Sequence, residues 1–553
     1  MADRHKGKAV SGGLALGQIL VDREYDLKNT AAEDPGTEQA RLEMAREKTL
    51  RELECLETGL RDQGRQDEAD ILGVHCLMVE DEDIFDQILS GIREEGLEAG
   101  YSLTRVLDER IRQFEAMENT YMRERAGDLK DLRRRLLKNL SPGTGPDPGG
   151  GGDKILLVTE LLPAMVLDAR ESQIKGFLSR KGGETSHAAI LARSFRLPVI
   201  SVPDGYTPPE DGETVFLDGQ TGEILSSLSP EDLQECSRRI RERKQYLELL
   251  EGQKDLPAVT LDGFRVELGA NIISPEETAS ALEMGAEGIG LFRTEFLYMD
   301  ASTLPDEDTQ YRSYRRVLET MKGNPVIIRT LDAGGDKKPP CLPIPPEDNP
   351  YMGWRAIRIC LADPALFDTQ LRALLRSSRF GNLKIMLPMI VSPEEITETR
   401  QRLERLRQEL ERSGEQVGAF QLGIMVETPA SVLILPRLLR HAEFVSIGTN
   451  DLTQYVLAAD RGNRLLERYH DPGHPAVLEA IRQVAGICRE NGTWVGVCGE
   501  MAGNPRYIPF LVGCGVNELS VSPSRLGEVK QVIRNLTMSG CREIVREALE
   551  TES

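Results

Sequence analysis

Two groups of residues in this chain have the types and spacing that chemistry needs. The first is the run Gly182-Gly183-Glu184-Thr185-Ser186-His187-Ala188-Ala189-Ile190-Leu191-Ala192-Arg193. Ile174 to Leu178 ahead of it reads as a short apolar strand, and Ala188 to Phe195 has helix-forming composition. The paired glycines permit a tight turn between the two. Thr185 and Ser186 are residue types that accept a helix's first free N–H groups. His187 therefore stands at or just before a helix N-terminus, where unpaired N–H groups and the helix dipole favour an anion. A histidine so placed suits the carriage of a phosphoryl group.

The second group is spread over the C-terminal half but falls at equivalent places. Eight short apolar runs alternate there with helical stretches, from Val266–Asn271 to Asn517–Val521. Eight such units over roughly 290 residues match a TIM barrel, whose active sites form at the C-terminal ends of the strands. Arg293 follows the second run, Arg329 ends the third and Glu427 ends the fifth. Asn450 and Asp451 follow the sixth, Arg461 lies further along that loop, and Cys498 ends the seventh. One mouth would then collect three arginines, two carboxylates, an amide and a thiol. Arginines grip dense anions bidentately. Two carboxylates beside an anion need a cation between them, and Glu427 and Asp451 are hard oxygen ligands suited to Mg2+.

The histidine run resembles the phosphohistidine loop of the phosphoenolpyruvate-utilising enzymes, and among them that of the Enzyme I family of the bacterial sugar phosphotransferase system. The resemblance extends over essentially the whole chain in the family's domain order. It is carried by Gly290-Leu291-Phe292-Arg293-Thr294-Glu295-Phe296-Leu297, by Arg329-Thr330-Leu331-Asp332-Ala333-Gly334-Gly335-Asp336-Lys337, and by Gly353-Trp354-Arg355-Ala356-Ile357-Arg358. Gly423 to Pro429, Ser446 to Gln454 and Cys498 to Gly503 carry it further. It implies that His187 takes a phosphoryl group from phosphoenolpyruvate, releasing pyruvate, and passes it to the small phosphocarrier protein HPr. By the same resemblance Arg293, Arg329, Asn450, Asp451 and Arg461 hold phosphoenolpyruvate, Glu427 and Asp451 hold Mg2+, and Cys498 donates a proton. It also implies a homodimer joined through the C-terminal barrel. Two departures stand out: Ser11-Gly12-Gly13, where the family usually has proline before glycine, and Asn504, where it usually has aspartate. Three alternatives remain. One is a paralogue serving a nitrogen-control carrier. Another is a dikinase or synthase of the same superfamily, which needs a nucleotide-binding domain that this sequence shows no sign of. The third is an inactive regulatory protein that docks a carrier.

The elements expected to position these residues form an α/β chain of five segments. Residues 1–35 supply a strand, Gly13 to Val21, to a phosphohistidine α/β domain. Residues 36–145 form an all-helical insert of about four helices, with Leu42, Ala45, Leu50, Leu53, Leu56 and Leu60 at helical spacing. The resemblance makes this the HPr-binding part, with Glu68, Glu80, Asp81 and Glu82 facing a basic carrier. Ser141 to Asp153 is a Pro/Gly linker. Residues 146–228 complete the α/β domain, 229–257 form one long linker helix, and 258–553 form the TIM (β/α)8 barrel. One histidine serving two distant partners implies that these parts swivel.

Composition limits the function further. The 553 residues include 68 basic and 90 acidic side chains, a net charge of −22. That argues against nucleic-acid binding, which needs positive surface, and suits a basic protein partner. Nine cysteines without paired metal spacing fit a reducing cytoplasm. Met1 to Val10 is polar, with no apolar core of a signal peptide, and no run of about 18 apolar residues suggests a membrane span.

Overall fold

The computed structural model describes residues 2–22, 34–62, 66–116, 120–140, 152–171, 173–181, 187–203, 205–299 and 301–550. The chain divides into two compact units, Met1–Tyr246 and Leu247–Ser553. The division falls within a single helix, Pro230–Gln253.

In the first unit an eight-stranded sheet is built from β1 (Asp3–Lys6), β2 (Lys8–Ser11), β3 (Leu14–Val21), β4 (Lys154–Glu160), β5 (Ile174–Lys181), β6 (Val199–Ser201), β7 (Thr214–Asp218) and β8 (Glu223–Ser226). The strand order is β1-β8-β7-β3-β4-β5-β6-β2. Strands β3 to β6 run parallel, and the flanking pairs are antiparallel. The first two strands are too short and polar to be legible as strands; they form because each closes one edge of the sheet.

Between β3 and β4 lie five helices, Pro35–Asp62, Gln66–Glu80, Glu82–Glu95, Ala99–Glu115 and Thr120–Leu140, rather than about four. The break between the second and third comes at Asp81, whose carboxylate accepts from the Ile84 N–H and starts a new helix. Leu42, Ala45 and Leu53 are buried in a core shared with Phe177, Ala188 and Leu191 of the α/β part. Ile19, Ile155, Leu178 and Ile200 fill the opposite face of the sheet. Of the expected linker, Ser141 to Asp153, residues 141–151 lie outside the described residues.

The second unit is a closed barrel of eight parallel strands: β9 (Glu267–Ile272), β10 (Gly288–Arg293), β11 (Pro325–Arg329), β12 (Asn382–Leu387), β13 (Phe420–Val426), β14 (Phe444–Ile447), β15 (Trp494–Val497) and β16 (Glu518–Val521). Their side chains alternate between two environments, as the pleat requires. Outward residues such as Ile328, Ile424, Val497 and Leu519 pack under the surrounding helices. The inward apolar set is small: Leu291, Ile327, Met386, Met425, Phe444 and Cys498, with Trp494 beside them. The other inward positions are polar or glycine, so the barrel's axis is a column of chemistry rather than a filled apolar core. Among the described residues no helix is long and apolar enough to cross a membrane.

Candidate active site

At the C-terminal mouth of the barrel is a cleft of about 740 Å3 lined by Arg293, Arg329, Glu427, Asn450, Asp451, Arg461 and Cys498. All seven residues expected there from the sequence come together. The pleat explains the convergence. Arg329 is two residues beyond the inward Ile327, and Glu427 two beyond the inward Met425. Asn450 and Asp451 lie in the first turn of helix Thr449–Leu457, which starts directly after β14.

Burial and pairing set the charges. Asp451 is held from one side by Arg355, with Nη1 to Oδ1 at 3.0 Å and Nη2 to Oδ2 at 3.1 Å. Arg461 stands 3.8 Å away on the other. Burial works against the Asp451 carboxylate, but Arg355 and then Arg461 hold it below its usual range. Glu427 lacks such help. Its Oε1 accepts from the Met389 N–H at 2.7 Å, whereas Oε2 is buried without a partner. Burial, then the nearby Asp451 and Asp332, push its carboxyl up to about 8. A side chain at position 448 is excluded, since a Cβ on Gly448 would lie 2.8 Å from that Oε2. A partnerless buried carboxylate oxygen next to a second carboxylate fits a cation, so Glu427 and Asp451 suit Mg2+. Met389 presents its N–H from a backbone with φ of 59°, a strained geometry for a residue with a side chain.

Behind the cleft runs a network that sequence reasoning left without roles. Arg329 pairs with Glu295 at 2.7 Å and with Asp332 at 3.1 Å. Lys337 bridges the same two carboxylates at 2.7 and 2.8 Å. Arg355, fully buried, grips Asp332 through Nε at 2.9 Å and Nη2 at 3.1 Å while its other edge holds Asp451. Burial opposes both carboxylates, yet the cations outweigh it and keep Glu295 low and Asp332 well below its ordinary value. Glu295, Asp332, Lys337 and Arg355 all sit in motifs that were legible. The available signal was charge inside otherwise apolar strings, since a buried charge must have a partner. Ala356, next to Arg355, also has a positive φ of 54°.

Arg293 differs from the other arginines. Among the described residues it has no ion pair and no side-chain hydrogen bond, so its guanidinium is open to an incoming anion. Asn450 holds Glu500 at both ends, donating to Oε1 at 3.2 Å and accepting from the Glu500 N–H at 2.9 Å. Asn504 accepts from the Arg506 N–H and so fixes a turn outside the cleft.

Cys498 is 3 % exposed. Burial dominates at the Cys498 thiol and pushes it up to about 11, against the downward pull of Ser446 and Arg329. Cys498 therefore keeps its proton at neutral pH, as a donor must.

In the first unit, helix His187–Ser194 begins at His187 itself. Residues 182–186, expected to form the turn before it, lie outside the described residues. All nine cysteines are free.

Three family models cover the chain in order: "PEP-utilising enzyme, N-terminal" over residues 6–125, "PEP-utilising enzyme, mobile domain" over 151–222, and "PEP-utilising enzyme, PEP-binding domain" over 248–538. The phosphoenolpyruvate-protein phosphotransferase of Staphylococcus carnosus (strain TM300) is 38% identical over 558 residues, covering 100% of this chain and 97% of the relative. Its namesake from Bacillus sp. (strain S) is 40% identical over 536 residues, covering 96% and 93%. That of Bacillus subtilis (strain 168) is 38% identical over 544 residues, covering 96% and 94%. With its barrel cleft and its three matched domains, this chain is an enzyme belonging to the phosphoenolpyruvate-utilising family.

Proposed function

We propose that the chain is a phosphoenolpyruvate–protein phosphotransferase that phosphorylates itself on His187 and passes the phosphoryl group to the phosphocarrier HPr, the first step of a sugar phosphotransferase system in the cytoplasm. The observation that carries this reading is the single cleft holding Arg293, Arg329, Arg461, Asn450, Glu427, Asp451 and Cys498. Phosphoenolpyruvate is a small trianion. Arg293 meets it with a free fork, while Arg329 and Arg461 turn from their carboxylate partners toward phosphate and carboxylate oxygens. Asn450 orients the bound molecule. Glu427 and Asp451 would hold Mg2+, which would supply charge neutralisation for the transferring phosphoryl group. The P–O bond to the enol oxygen breaks as a bond forms to Nε2 of His187. The electrons left behind make the enolate of pyruvate, and the Cys498 thiol donates its proton to the methylene carbon.

His187 must then leave the cleft to reach the carrier. The helical bundle offers exposed Met44 and Leu77 on its first two helices, with Glu80, Asp81 and Glu82 close by in sequence. Exposed apolar side chains with acidic residues nearby suit a basic carrier face. The test is to supply labelled phosphoenolpyruvate, Mg2+ and purified HPr or a nitrogen-branch carrier. Label moving to HPr with one pyruvate released per phosphoryl group supports the reading. Transfer only to the nitrogen-branch carrier reassigns the partner, and no incorporation at all rejects the activity.

A further inference from the structure

The first barrel strand also carries a polar side chain near its C-terminal end, Asn271, outside the set that lines the substrate cleft. Along β9, Leu268, Ala270 and Ile272 pack under the helices, so Glu267, Gly269 and Asn271 face the axis. Ser520 faces it from the neighbouring β16, between the outward Leu519 and Val521. Gly290 of β10 leaves the room. A Cβ there would lie 2.2 Å from Ser520 Oγ and 2.4 Å from Oε1 of the buried Glu518, one inward position lower on β16.

Asn271 makes three hydrogen bonds. Its Nδ2 donates to the Cys498 carbonyl and to the Ser520 carbonyl, each at 3.2 Å. Its Oδ1 accepts from Ser520 Oγ at 2.6 Å. Carbonyls only accept, so one orientation of the amide satisfies all three bonds. From β9 the side chain thus reaches over β16 to the end of β15. The bond to Cys498 counts because the sheet no longer holds that residue. Pairing of β15 with its neighbours ends at Val497, opposite Ile447 and Leu519. Beyond that point the Cys498 N–H still donates to the Ile447 carbonyl at 3.1 Å, and Asn271 holds the residue's other end. Gly499 follows, where a Cβ would lie 1.9 Å from Thr449 Oγ1. A glycine directly after the thiol leaves the backbone free to turn once the Asn271 bond is lost.

We propose that Asn271 is the positioning residue of the proton donor: by holding the Cys498 carbonyl it fixes the direction from which the thiol meets the enolate. This rests on the reading of Cys498 as that donor. In the step itself the enolate's electron pair forms the new C–H bond with the thiol proton. Sulfur keeps the S–H pair as a thiolate, which water re-protonates once the product has left. Asn271 faces a side cavity of about 510 Å3 that shares Arg293, Cys498, Gly499 and Glu500 with the substrate cleft. It acts through Cys498 and leaves phosphoenolpyruvate and Mg2+ to the residues of the cleft. A shift of about 1 Å in a reacting group can cost about 10²-fold in rate, so the loss of one hydrogen bond at this place is enough to be read.

The test is a single turnover of the full chain, in excess over substrate, with Mg2+ in heavy water. The phosphoenolpyruvate carries tritium in place of one methylene hydrogen of known geometry, and pyruvate is trapped by reduction as it forms. The product methyl group then holds hydrogen, deuterium and tritium, and its configuration reports which face of the enolate was protonated. The wild type should give one configuration. Asn271→Ala should form pyruvate about tenfold or more slowly, within the span of general acid–base effects. It should also give a mixture of configurations while its affinity for phosphoenolpyruvate is retained. A merely structural defect lowers the rate and leaves the configuration alone, so a single configuration in Asn271→Ala, at any rate, overturns the proposal. Should that variant fail to fold, Asn271→Asp is read in the same way, since it keeps the size and the bond from Ser520 but lacks the two donated bonds. A single configuration at the normal rate in Cys498→Ala would instead remove the donor reading itself.

Discussion

The Cys498 thiol and the Glu427 carboxyl are both moved upward by burial; for the thiol that direction suits a proton donor, whereas for Glu427 it marks a buried carboxylate whose charged form a bound cation would restore. A thiol near 11 is a poor nucleophile but a stable proton store. Cys498→Ala should bind phosphoenolpyruvate nearly as the wild type does, yet form pyruvate about 10²–10⁴-fold more slowly. Rapid-quench measurement of pyruvate against equilibrium substrate binding checks this, and a parallel loss of binding would contradict it. Glu427 carries a free buried oxygen that a cation would complete. Mg2+ should therefore raise the thermal midpoint of the wild type, because it binds the folded site alone. Glu427→Gln should lose most of that rise. An unchanged rise in the variant would place the metal elsewhere.

At the scale of elements, the barrel strands fix both ends of the axis, and their pleat decides what faces inward. Arg355 ties the loop after β11 to helix Thr449–Leu457 by gripping Asp332 and Asp451 together. Arg355→Ala removes the buried cation shared by two carboxylates, leaving Asp332 to Arg329 and Lys337 and Asp451 to Arg461 alone, and should destabilise the barrel by up to about 3–5 kcal/mol, read from the denaturant midpoint. Glu518 makes a pH prediction. Its folded value of about 8 lies above the roughly 4.3 of an unfolded chain. Its protonated form thus stabilises the fold fully below that lower value, and the contribution is lost as pH rises through 8. Glu427 acts with the same sign. The denaturant midpoint of the wild type should fall between pH 5 and pH 9, and Glu518→Gln should flatten part of the fall; an identical slope would refute the assignment. These elements were unequally legible. The eight barrel runs and the seven residues at the mouth could be read because apolar strands end abruptly in polar side chains. The strands Asp3–Lys6 and Lys8–Ser11 could not, since four residues, all polar in the first and half polar in the second, are too few to carry a pattern. Glu295, Asp332, Lys337 and Arg355 were visible as letters but not as a network, because pairing depends on which loops meet.

At the scale of the molecule, the proposal has one histidine serving a barrel cleft and a separate carrier. The two compact units meet within the helix Pro230–Gln253. A cross-link that holds the His187 domain against the barrel should permit self-phosphorylation and stop transfer to HPr; normal transfer in the linked protein would rule out the swivel. The most direct measurement of the central claim is the position of the first phosphoryl group. The purified chain is incubated with Mg2+ and phosphoenolpyruvate labelled in its phosphate, or with ATP labelled at its γ-phosphate, and the modified peptide is sequenced. The account predicts label from phosphoenolpyruvate alone, on the imidazole of His187, with none in His187→Ala. Label arriving from ATP, or persisting in His187→Ala, would contradict it.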